Sequence, residues 1–217
     1  MNEKCIIYSA HGGGHIQEAL CSAQKSQQTL NNDISFILHT EKSPKRPGES
    51  IFNKILMQEV PDCFIGKPYG FKIKGMIDAC KRLNFEYFLF LDTDAVIQKA
   101  EALEIFDLLK HFDIAAAHAP VRISPLAGKL GEDPLIPKCF PEFNSGVIAF
   151  KKSSMTTFEK WLDIYTSEPV KPDQPAFRKA VYLSNLRVAT LTPEYNNRTP
   201  KKNNCFIWHN REALKEK

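Results

Sequence analysis

Phe88-Leu89-Phe90-Leu91-Asp92-Thr93-Asp94 is the stretch of sequence that decides the fold. Its four consecutive apolar residues, without polar alternation, are typical of a strand buried on both faces of a parallel sheet. Two carboxylates follow at the end of this strand, and residues two apart in extended backbone point to the same side. Ligands of open α/β sheets bind beyond the carboxyl ends of the strands. We therefore predict that Asp92 and Asp94 converge on one cation; the alternative is a strand-terminating turn capped by Asp.

Similar apolar runs recur along the chain and alternate with stretches of helical periodicity. The strand-like runs are Cys5–Ala10, Ile34–His39, Tyr87–Asp92, Ile114–His118, Gly146–Lys151, Arg187–Leu191 and Cys205–His209. The helical stretches are Ile16–Leu30, Phe71–Leu83, Ala102–His111 and Thr156–Tyr165. This alternation predicts an α/β fold, a single-domain Rossmann-like three-layer sandwich with a mostly parallel central sheet and helices on both faces.

Two segments lack apolar periodicity and are predicted to be long loops, namely Thr40–Ser50 and Pro120–Phe143. The first is rich in Lys and Pro, and the second contains five prolines and two glycines. Because a loop as long as the second one is uncommon inside a compact domain, it is usually functional.

The composition is that of an ordinary globular protein, with 217 residues, 43% hydrophobic and 25% charged. Its 29 basic and 25 acidic side chains give a net charge of +4. This surplus is too small to indicate nucleic-acid binding, which usually shows a clustered basic face. No apolar run approaches the roughly 20 residues of a membrane span, and we expect no signal peptide. The six cysteines lack C-x-x-C spacing, which predicts reduced thiols in a cytoplasmic protein.

Five short elements, in a characteristic order, resemble a known class of enzymes. The segment Tyr87–Ile97 resembles the metal-binding strand end of GT-A glycosyltransferases, whose fold binds nucleotide-diphospho-sugars. Four later elements are similar to those of glycosyltransferase family 8 and its relatives: F-N-S-G-V at Phe143–Val147, P-D-Q-P-A-F at Pro172–Phe177, L-T-P-E-Y-N at Leu191–Asn196 and I-W-H at Ile207–His209. The resemblance implies a GT-A fold and sugar transfer from a nucleotide-diphosphate donor, with retention of the anomeric configuration.

The resemblance also implies a metal site. Asp92 and Asp94 would coordinate Mn²⁺ or Mg²⁺ through their carboxylates, and His209 would add a nitrogen ligand. Such a cation stabilises the negative charge that develops on a departing diphosphate. The family continues after its histidine with Gly and Lys, whereas Asn210 and Arg211 follow here. Arg211 is chemically able to pair with a phosphate, and a plain surface position is the alternative for His209.

Contacts with the donor sugar are implied in the same way. Asn144 would hydrogen-bond the sugar, Asp173 would bind its hydroxyl groups, and Gln174 would lie close to the anomeric carbon. These three residues form the predicted catalytic set. Thr93 and Ser145, which stand within the matching elements, are predicted to contact the donor.

The remaining donor contacts are predicted nearer the start of the chain. The stretch His11-Gly12-Gly13-Gly14-His15 follows a strand and opens a helix, so its backbone N–H groups can approach a phosphate or base. No Gly-Lys-Ser/Thr follows, so it is not a P-loop. The alternatives are a tight turn without ligand contact at the glycine-rich stretch, a solvated loop acid at Glu41, and exposed lysines at Lys72 and Lys74. The predicted contacts are Ala10, His11, Gly12, Gly13, Thr40, Glu41, Lys72 and Lys74.

The sequence thus predicts one domain, with a nucleotide-binding half over 1–100 and a sugar- and acceptor-binding half over 101–217. UDP is the nucleotide that the resemblance favours, and the acceptor, a glycan, lipid or protein, is undefined. One alternative is a sugar nucleotidyltransferase on the same fold, although its G-x-G-T-R-x-x-P-x-x-K-like signature is absent. The other is a non-catalytic domain that binds a nucleotide-sugar or glycan, against which the intact site residues argue.

Overall fold

The computed structural model describes residues 3–30, 34–44, 51–119, 130–131, 133–168 and 172–216. Its strands are β1 (Lys4–Ala10), β2 (Ser35–Thr40), β3 (Lys54–Met57), β4 (Tyr87–Leu91), β5 (Ala95–Ile97), β6 (Ile114–His118), β7 (Phe143–Lys151), β8 (Val188–Leu191) and β9 (Ile207–His209). Its α-helices are α1 (Gly13–Leu30), α2 (Gly70–Arg82), α3 (Ile105–Leu108), α4 (Met155–Ser167), α5 (Gln174–Tyr182) and α6 (Glu212–Lys215).

Seven of these strands form one sheet in the order β3-β2-β1-β4-β7-β6-β8. Strand β7 pairs antiparallel with both β4 and β6, whereas the other four pairings are parallel. The prediction of a mostly parallel sheet is therefore confirmed. Because β7 runs against its neighbours, its first residues lie beside the last residues of β4, at the edge where ligands bind.

Hydrophobic clusters cover both faces of this sheet, which confirms the predicted three layers. Alternate residues of β1 enter different clusters, since Ile6 and Tyr8 pack with α1 and α3 on one face. Ile7 packs with α2, α4 and α5 on the other face, where Trp161 is fully buried. The short apolar strands are thus sandwiched between helices, as expected for a parallel sheet.

Helix α2 approaches the sheet closely at Gly75. A Cβ atom there would lie 2.8 Å from the imidazole Nδ1 of His39 and 2.8 Å from the hydroxyl of Ser9. These two side chains, which lie on neighbouring strands, are hydrogen-bonded to each other at 2.9 Å. The lack of a side chain at Gly75 is therefore what lets α2 pack on β1 and β2.

The structure differs from the sequence-based prediction in several strands and in one helix. Strands β3 and β5 were not predicted, and β7 begins at Phe143 instead of Gly146. The run Cys205–His209 contributes β9, which pairs with β5 in a separate two-stranded sheet. The stretch Ala102–His111 is a 3₁₀-helix followed by the short α3. Residues 45–50, 120–129 and 132, which belong to the two predicted long loops, lie outside the described residues.

Two further expectations concern cysteines and membranes. All six cysteines are free thiols, three of them buried, in agreement with the prediction from their spacing. In the part of the chain that the structure describes, none of the helices combines the length and the apolar character that crossing a bilayer requires.

Candidate active site

The end of β4 and the beginning of β7 form the floor of the site. The backbone N–H of Asp92 donates to the carbonyl of Gly146 at 2.8 Å, which continues the antiparallel ladder by one step. The N–H of Ala95 then donates to the carbonyl of Asp92 and closes a tight turn. This turn holds Asp92 and Asp94 beside the first residues of β7, so the strand end predicted from sequence carries two carboxylates at the ligand-binding edge.

The small sheet brings the histidine to these carboxylates. Strands β5 and β9 pair antiparallel, with Ala95 directly opposite His209. Because Asp94 immediately precedes Ala95, the imidazole ring of His209 lies beside the Asp94 carboxylate. Its Nε2 atom is 3.5 Å from Oδ2 of Asp92 and 3.4 Å from Oδ1 of Asp94. Ligand atoms of all three residues lie within 4.8 Å of one another.

This group of residues has the composition and the space that a divalent cation needs. Two carboxylate oxygens and one imidazole nitrogen suit Mn²⁺ or Mg²⁺. Gly146 forms the wall behind them, where a Cβ atom would lie 2.0 Å from Cε1 of His209 and 2.6 Å from Oδ2 of Asp92. Any larger residue would displace these ligands, so the glycine of the F-N-S-G-V element is required by close approach. Asp92, Asp94 and His209 therefore fit a divalent metal ion.

The electrostatics of the three residues depend on their mutual contacts. Burial alone would raise the pKa of Asp92, but Lys72 and His209 outweigh it and lower that pKa to about 2. Burial likewise opposes ionisation of Asp94, whereas His209 lowers its pKa. Burial lowers the pKa of His209, but the two aspartates raise it above its ordinary value. Both carboxylates are thus ionised and available as ligands at neutral pH.

Lys72 joins the metal-site carboxylates to the predicted sugar site. The residue is 7% exposed, and its ammonium group lies 2.9 Å from Oδ2 of Asp173 and 3.3 Å from Oδ1 of Asp92. It also donates to the hydroxyl of Ser145 at 3.0 Å and to the carbonyl of Ser145 at 3.2 Å. Burial opposes the charge of Lys72, but Asp173 and Asp92 raise its pKa. The lysine therefore acts as a buried cation between two acids.

Asp173 and Gln174 lie at the start of α5 and line the same cleft as the metal-site carboxylates. Asp173 occupies the N-cap position, yet its side chain makes no capping hydrogen bond and pairs with Lys72 instead. The indole N–H of Trp161 donates to the carbonyl of Asp173 at 3.0 Å and fixes this turn. Gln174 has no hydrogen-bond partner among the described residues, so its amide is available to a ligand.

Asn144 and Ser145 also line the cleft, at the beginning of β7. Oδ1 of Asn144 accepts hydrogen bonds from the backbone N–H of Gly146 at 3.0 Å and from the amide of Asn196 at 2.8 Å. Only the NH₂ group of Asn144 is left for a ligand. All of the predicted catalytic residues and metal ligands therefore surround one open cleft of about 520 Å³, a volume in the range of small-molecule sites.

The predicted contacts of the glycine-rich loop are placed less uniformly. Ala10 and His11 line the cleft, and the His11 ring packs on Phe71 with 5.1 Å between ring centroids. The N–H of Gly12 donates to the Glu41 carboxylate at 2.9 Å. Five of the predicted donor contacts do not line the cleft, namely Gly12, Gly13, Thr40, Glu41 and Lys74.

Two of these differences have a clear physical cause. Thr40 is fully buried at the end of β2, and its hydroxyl donates to the carbonyl of Lys42 at 3.1 Å. Lys74 forms an ion pair with Asp78 one turn further along α2, and Asp78 also faces His39. Since residues two apart point to different sides of a helix, Lys72 and Lys74 cannot both reach the cleft.

Arg211 and Thr93 meet at a carboxylate that the sequence analysis did not include. Glu18, on the second turn of α1, accepts a hydrogen bond from the Thr93 hydroxyl at 2.9 Å and lies 3.2 Å from Nε of Arg211. It also accepts from Nδ1 of His15 at 2.9 Å. All four side chains line the cleft. No sequence motif contains Glu18; only its place one turn into the helix after the glycine-rich loop was a signal.

Several other lining residues were missed, namely Ser9, Tyr69 and Arg198. Ser9 precedes the predicted loop contacts by one residue, and Tyr69 immediately precedes α2. Arg198 follows the L-T-P-E-Y-N element by two residues, so the proximity of these three to predicted segments was the available signal.

The described strands and helices have the arrangement of the GT-A fold, and comparison with solved structures agrees. An active-site mutant of LgtC is similar with a TM-score of 0.66 at 12% identity, over 94% of this chain and 86% of that one. The galactosyltransferase LgtC with donor and acceptor sugar analogues gives a TM-score of 0.63 at 13% identity, over 87% and 73%.

A third solved structure is similar to a comparable degree. A glycosyltransferase involved in glycosylation of the major capsid of PBCV-1 gives a TM-score of 0.60 at 16% identity, over 95% of this chain and 91% of that one. No protein-family model and no curated protein sequence matches the chain. At these low identities, the structural similarity establishes the GT-A fold that the sequence motifs predicted.

Proposed function

We propose that this protein is a metal-dependent glycosyltransferase that moves a sugar from a nucleotide-diphosphate donor to an acceptor. One observation carries the proposal: Asp92, Asp94 and His209 converge within 4.8 Å at the ligand-binding edge of the sheet, in the same cleft as Asp173 and Gln174. A metal site beside hydrogen-bonding groups for a sugar is what breakage of a glycosyl–phosphate bond requires.

The residues divide the work between two ends of the cleft. Asp92, Asp94 and His209 hold Mn²⁺ or Mg²⁺, which when bound stabilises the negative charge of a departing diphosphate. Asp173, fixed by the ion pair with Lys72, accepts hydrogen bonds from sugar hydroxyl groups. Gln174 directs its amide at the anomeric centre.

Other contacts complete donor binding. Asn144 donates its NH₂ group to the sugar, because its oxygen is already used. Ser145 accepts a hydrogen bond from Lys72, and Thr93 donates one to Glu18, so these two residues hold charged side chains of the cleft in place. Arg211 supplies a guanidinium group at the cleft. It pairs with Glu18, and a bound diphosphate can replace Glu18 as the partner of this charge. His11, whose pKa burial lowers, presents a neutral ring to the nucleoside.

The finer assignments are proposals as well. UDP is the proposed nucleotide, held by the half of the chain over 1–100, and the sugar and acceptor are bound by the half over 101–217. Retention of configuration is proposed because, among the described residues, an amide, Gln174, and not an unpaired carboxylate, stands at the sugar end. The acceptor is a glycan, lipid or protein, and the compartment is the cytoplasm, where six free thiols stay reduced.

The experiment is a donor screen followed by product analysis. Nucleotide-sugars are tested by thermal shift with and without Mn²⁺, since a donor at one hundred times its dissociation constant adds about 2.7 kcal/mol of stability. The donor that stabilises most is then incubated with the protein, and release of free nucleoside diphosphate is measured. We expect metal-dependent stabilisation by a UDP-sugar and slow release of UDP. The anomeric configuration of the released sugar, followed by NMR, tests retention.

The same assays distinguish the two alternatives. A sugar nucleotidyltransferase would consume a nucleoside triphosphate and release pyrophosphate. A binding domain would be stabilised without any turnover. Asp107→Asn should behave as the wild type in these assays, because Asp107 is a surface acid that pairs with Lys110 and does not line the cleft. If no nucleotide-sugar stabilises the protein in the presence of Mn²⁺ or Mg²⁺, the proposal is wrong.

A further inference from the structure

Three buried polar side chains from three separate segments form a chain of hydrogen bonds behind the metal site. Asn144 lies in β7, Asn196 ends the 3₁₀-helix Pro193–Asn196, and His209 lies in β9. Their exposed fractions are 2%, 6% and 8%. Asn196 contacts both of the others at 2.8 Å. In the low dielectric of such a site, hydrogen bonds of this kind hold their members firmly.

The direction of each hydrogen bond follows from one backbone group. The N–H of Gly146 can only donate, so the atom of Asn144 that it contacts at 3.0 Å is the oxygen Oδ1. The same oxygen faces Asn196, which must therefore present its NH₂ group there. The remaining atom of the Asn196 amide is then its oxygen, and this oxygen faces Nδ1 of His209.

This direction selects the tautomer of the histidine. Because Asn196 presents an acceptor, Nδ1 of His209 must carry a proton and donate it. In a neutral imidazole the other nitrogen then has a lone pair. That nitrogen, Nε2, is the one that lies 3.5 Å from Asp92 and 3.4 Å from Asp94. The ring is thereby set to offer its lone pair to the place where the cation binds.

We propose that Asn196 is a positioning residue for the metal centre, which holds His209 in the Nδ1–H tautomer with Nε2 directed at the cation. This inference rests on the metal-dependent transfer proposed above and adds a residue that touches neither metal nor donor. An amide is required at this position, since it must donate to Asn144 and accept from His209 at once. A carboxylate can only accept, and an apolar residue can do neither.

The first test reads the tautomer without any metal. Nitrogen-15 NMR of the metal-free protein at alkaline pH, where histidine rings are neutral, distinguishes a protonated Nδ1 from a protonated Nε2. The His209 signals are assigned by their loss in His209→Asn. We expect the Nδ1–H form in the wild type and a mixture in Asn196→Leu, which keeps the side-chain volume. Asn196→Asp should retain the Nδ1–H form, because its carboxylate still accepts that proton.

The second test measures affinity for Mn²⁺ alone, by the loss of the free-ion EPR signal. Removal of a residue that orients a metal-bound histidine costs about 10- to 100-fold in affinity, and we expect this loss in Asn196→Leu. Asn197→Ala is the matched control. Asn197 is a buried neighbour whose amide donates to the carbonyls of Lys201 and Lys202 and not to His209. Its affinity should stay within about threefold of the wild type, below the range expected for Asn196→Leu.

The outcomes separate this inference from the proposed function. A wild-type His209 protonated on Nε2, or Mn²⁺ affinity unchanged in Asn196→Leu, overturns the role of Asn196. Absence of Mn²⁺ and Mg²⁺ binding in the wild type overturns the metal-dependent function, and the NMR result then still decides the tautomer. If Asn196→Leu fails to fold, Asn196→Asp provides the comparison: an unchanged tautomer supports the proposal, and a mixed one contradicts it.

Discussion

The two edges of the central sheet carry acidic side chains in opposite electrostatic states. At the edge where β6 begins, Asp113 accepts three hydrogen bonds from Arg187. The donors are the backbone N–H at 2.9 Å, Nε at 3.3 Å and Nη2 at 3.2 Å. Lys151 lies 3.4 Å from the same carboxylate. One acid thus faces two cations, and its pKa falls to about 2, chiefly through the hydrogen bond from Arg187.

At the ligand-binding edge, by contrast, acidic side chains outnumber basic ones. Three carboxylates, those of Asp92, Asp94 and Asp173, share a single lysine, Lys72, and the ring of His209. With a neutral ring the cluster carries an excess of two negative charges. Charges of one sign held at short distance cost stability unless a counterion is bound. The Asp113 edge is thus paired with cations of the protein itself, whereas the ligand-binding edge has an excess of negative charge that a bound cation would neutralise.

Removal of one excess acid should give the largest effect. We expect Asp94→Asn to weaken Mn²⁺ binding by more than about 100-fold, the scale of 2.7 kcal/mol, because it deletes a charged ligand. Its Tm should shift by no more than about 3 °C, since Asp94 is partly exposed and, within the described residues, forms an ion pair with His209 alone. Isothermal titration with Mn²⁺ and thermal unfolding measure the two quantities.

The matched control for this variant is Asp107→Asn, at an exposed acid on α3. It should leave both the Mn²⁺ affinity and the Tm close to those of the wild type. If Asp94→Asn retained wild-type affinity, the metal ligands would have to be sought elsewhere in the cleft, and the contrast between the two edges would fail.

Gln174→Ala should have an intermediate effect and act on turnover. The amide has no protein partner among the described residues, so its removal leaves no buried group unsatisfied and stability should not change. If it acts near the anomeric centre in the transition state, kcat should fall by about 10- to 100-fold while the donor KM stays within about threefold. Steady-state kinetics of donor turnover provide the measurement.

Gln58→Ala is the comparison variant, because the Gln58 amide donates to the carbonyl of Glu59 away from the cleft. Its kcat should equal that of the wild type. A Gln174→Ala enzyme with a raised KM and normal kcat would show that Gln174 binds the donor equally in ground and transition states.

The sequence predicted the fold, and the placement of Asp92 and Asp94 at a strand end, because both are encoded locally. The apolar run of β4 and the spacing of Asp92 and Asp94 are short-range features, and periodicity reports them directly. The late element ending in His209 was found by its resemblance alone, since its position depends on pairing with β5, a strand of three residues that no pattern marks. Non-local pairing is what local patterns cannot supply.

The remaining errors have the same origin. Lys74 was predicted in the donor site, but a helix sends it to Asp78, away from Lys72. Asp113 and Glu18 were not singled out at all, because one isolated acid in sequence gives no indication of its partners. Arg187 is 74 residues from Asp113, and the contact exists only because β6 and β8 are adjacent in the sheet.

Asp113→Asn should produce the smallest effect, and it should appear in stability alone. The folded-state pKa of Asp113 is about 2, below that of an unfolded aspartate near 4, so the carboxylate stabilises the fold above pH 4. This contribution is lost as the pH falls from about 4 to about 2, because the unfolded chain takes up the proton first. Arg187 is largely exposed, which limits the contribution to about 1 kcal/mol.

Urea unfolding of Asp113→Asn and of the wild type at pH 7 and at pH 3 measures this effect. The variant should be less stable by about 1 kcal/mol at pH 7. The deficit should shrink at pH 3, where the unfolded wild-type chain has taken up the proton while the folded protein still keeps its ion pair. Mn²⁺ affinity should not change, because Asp113 lies at the opposite edge of the sheet from the cleft. Asp94→Asn is expected to show the reverse, with affinity lost and stability kept. A deficit that stayed the same at both pH values would mean that Asp113 stabilises the fold through its hydrogen-bonded shape and not through its charge, and the electrostatic contrast between the two edges would then rest on the metal site alone.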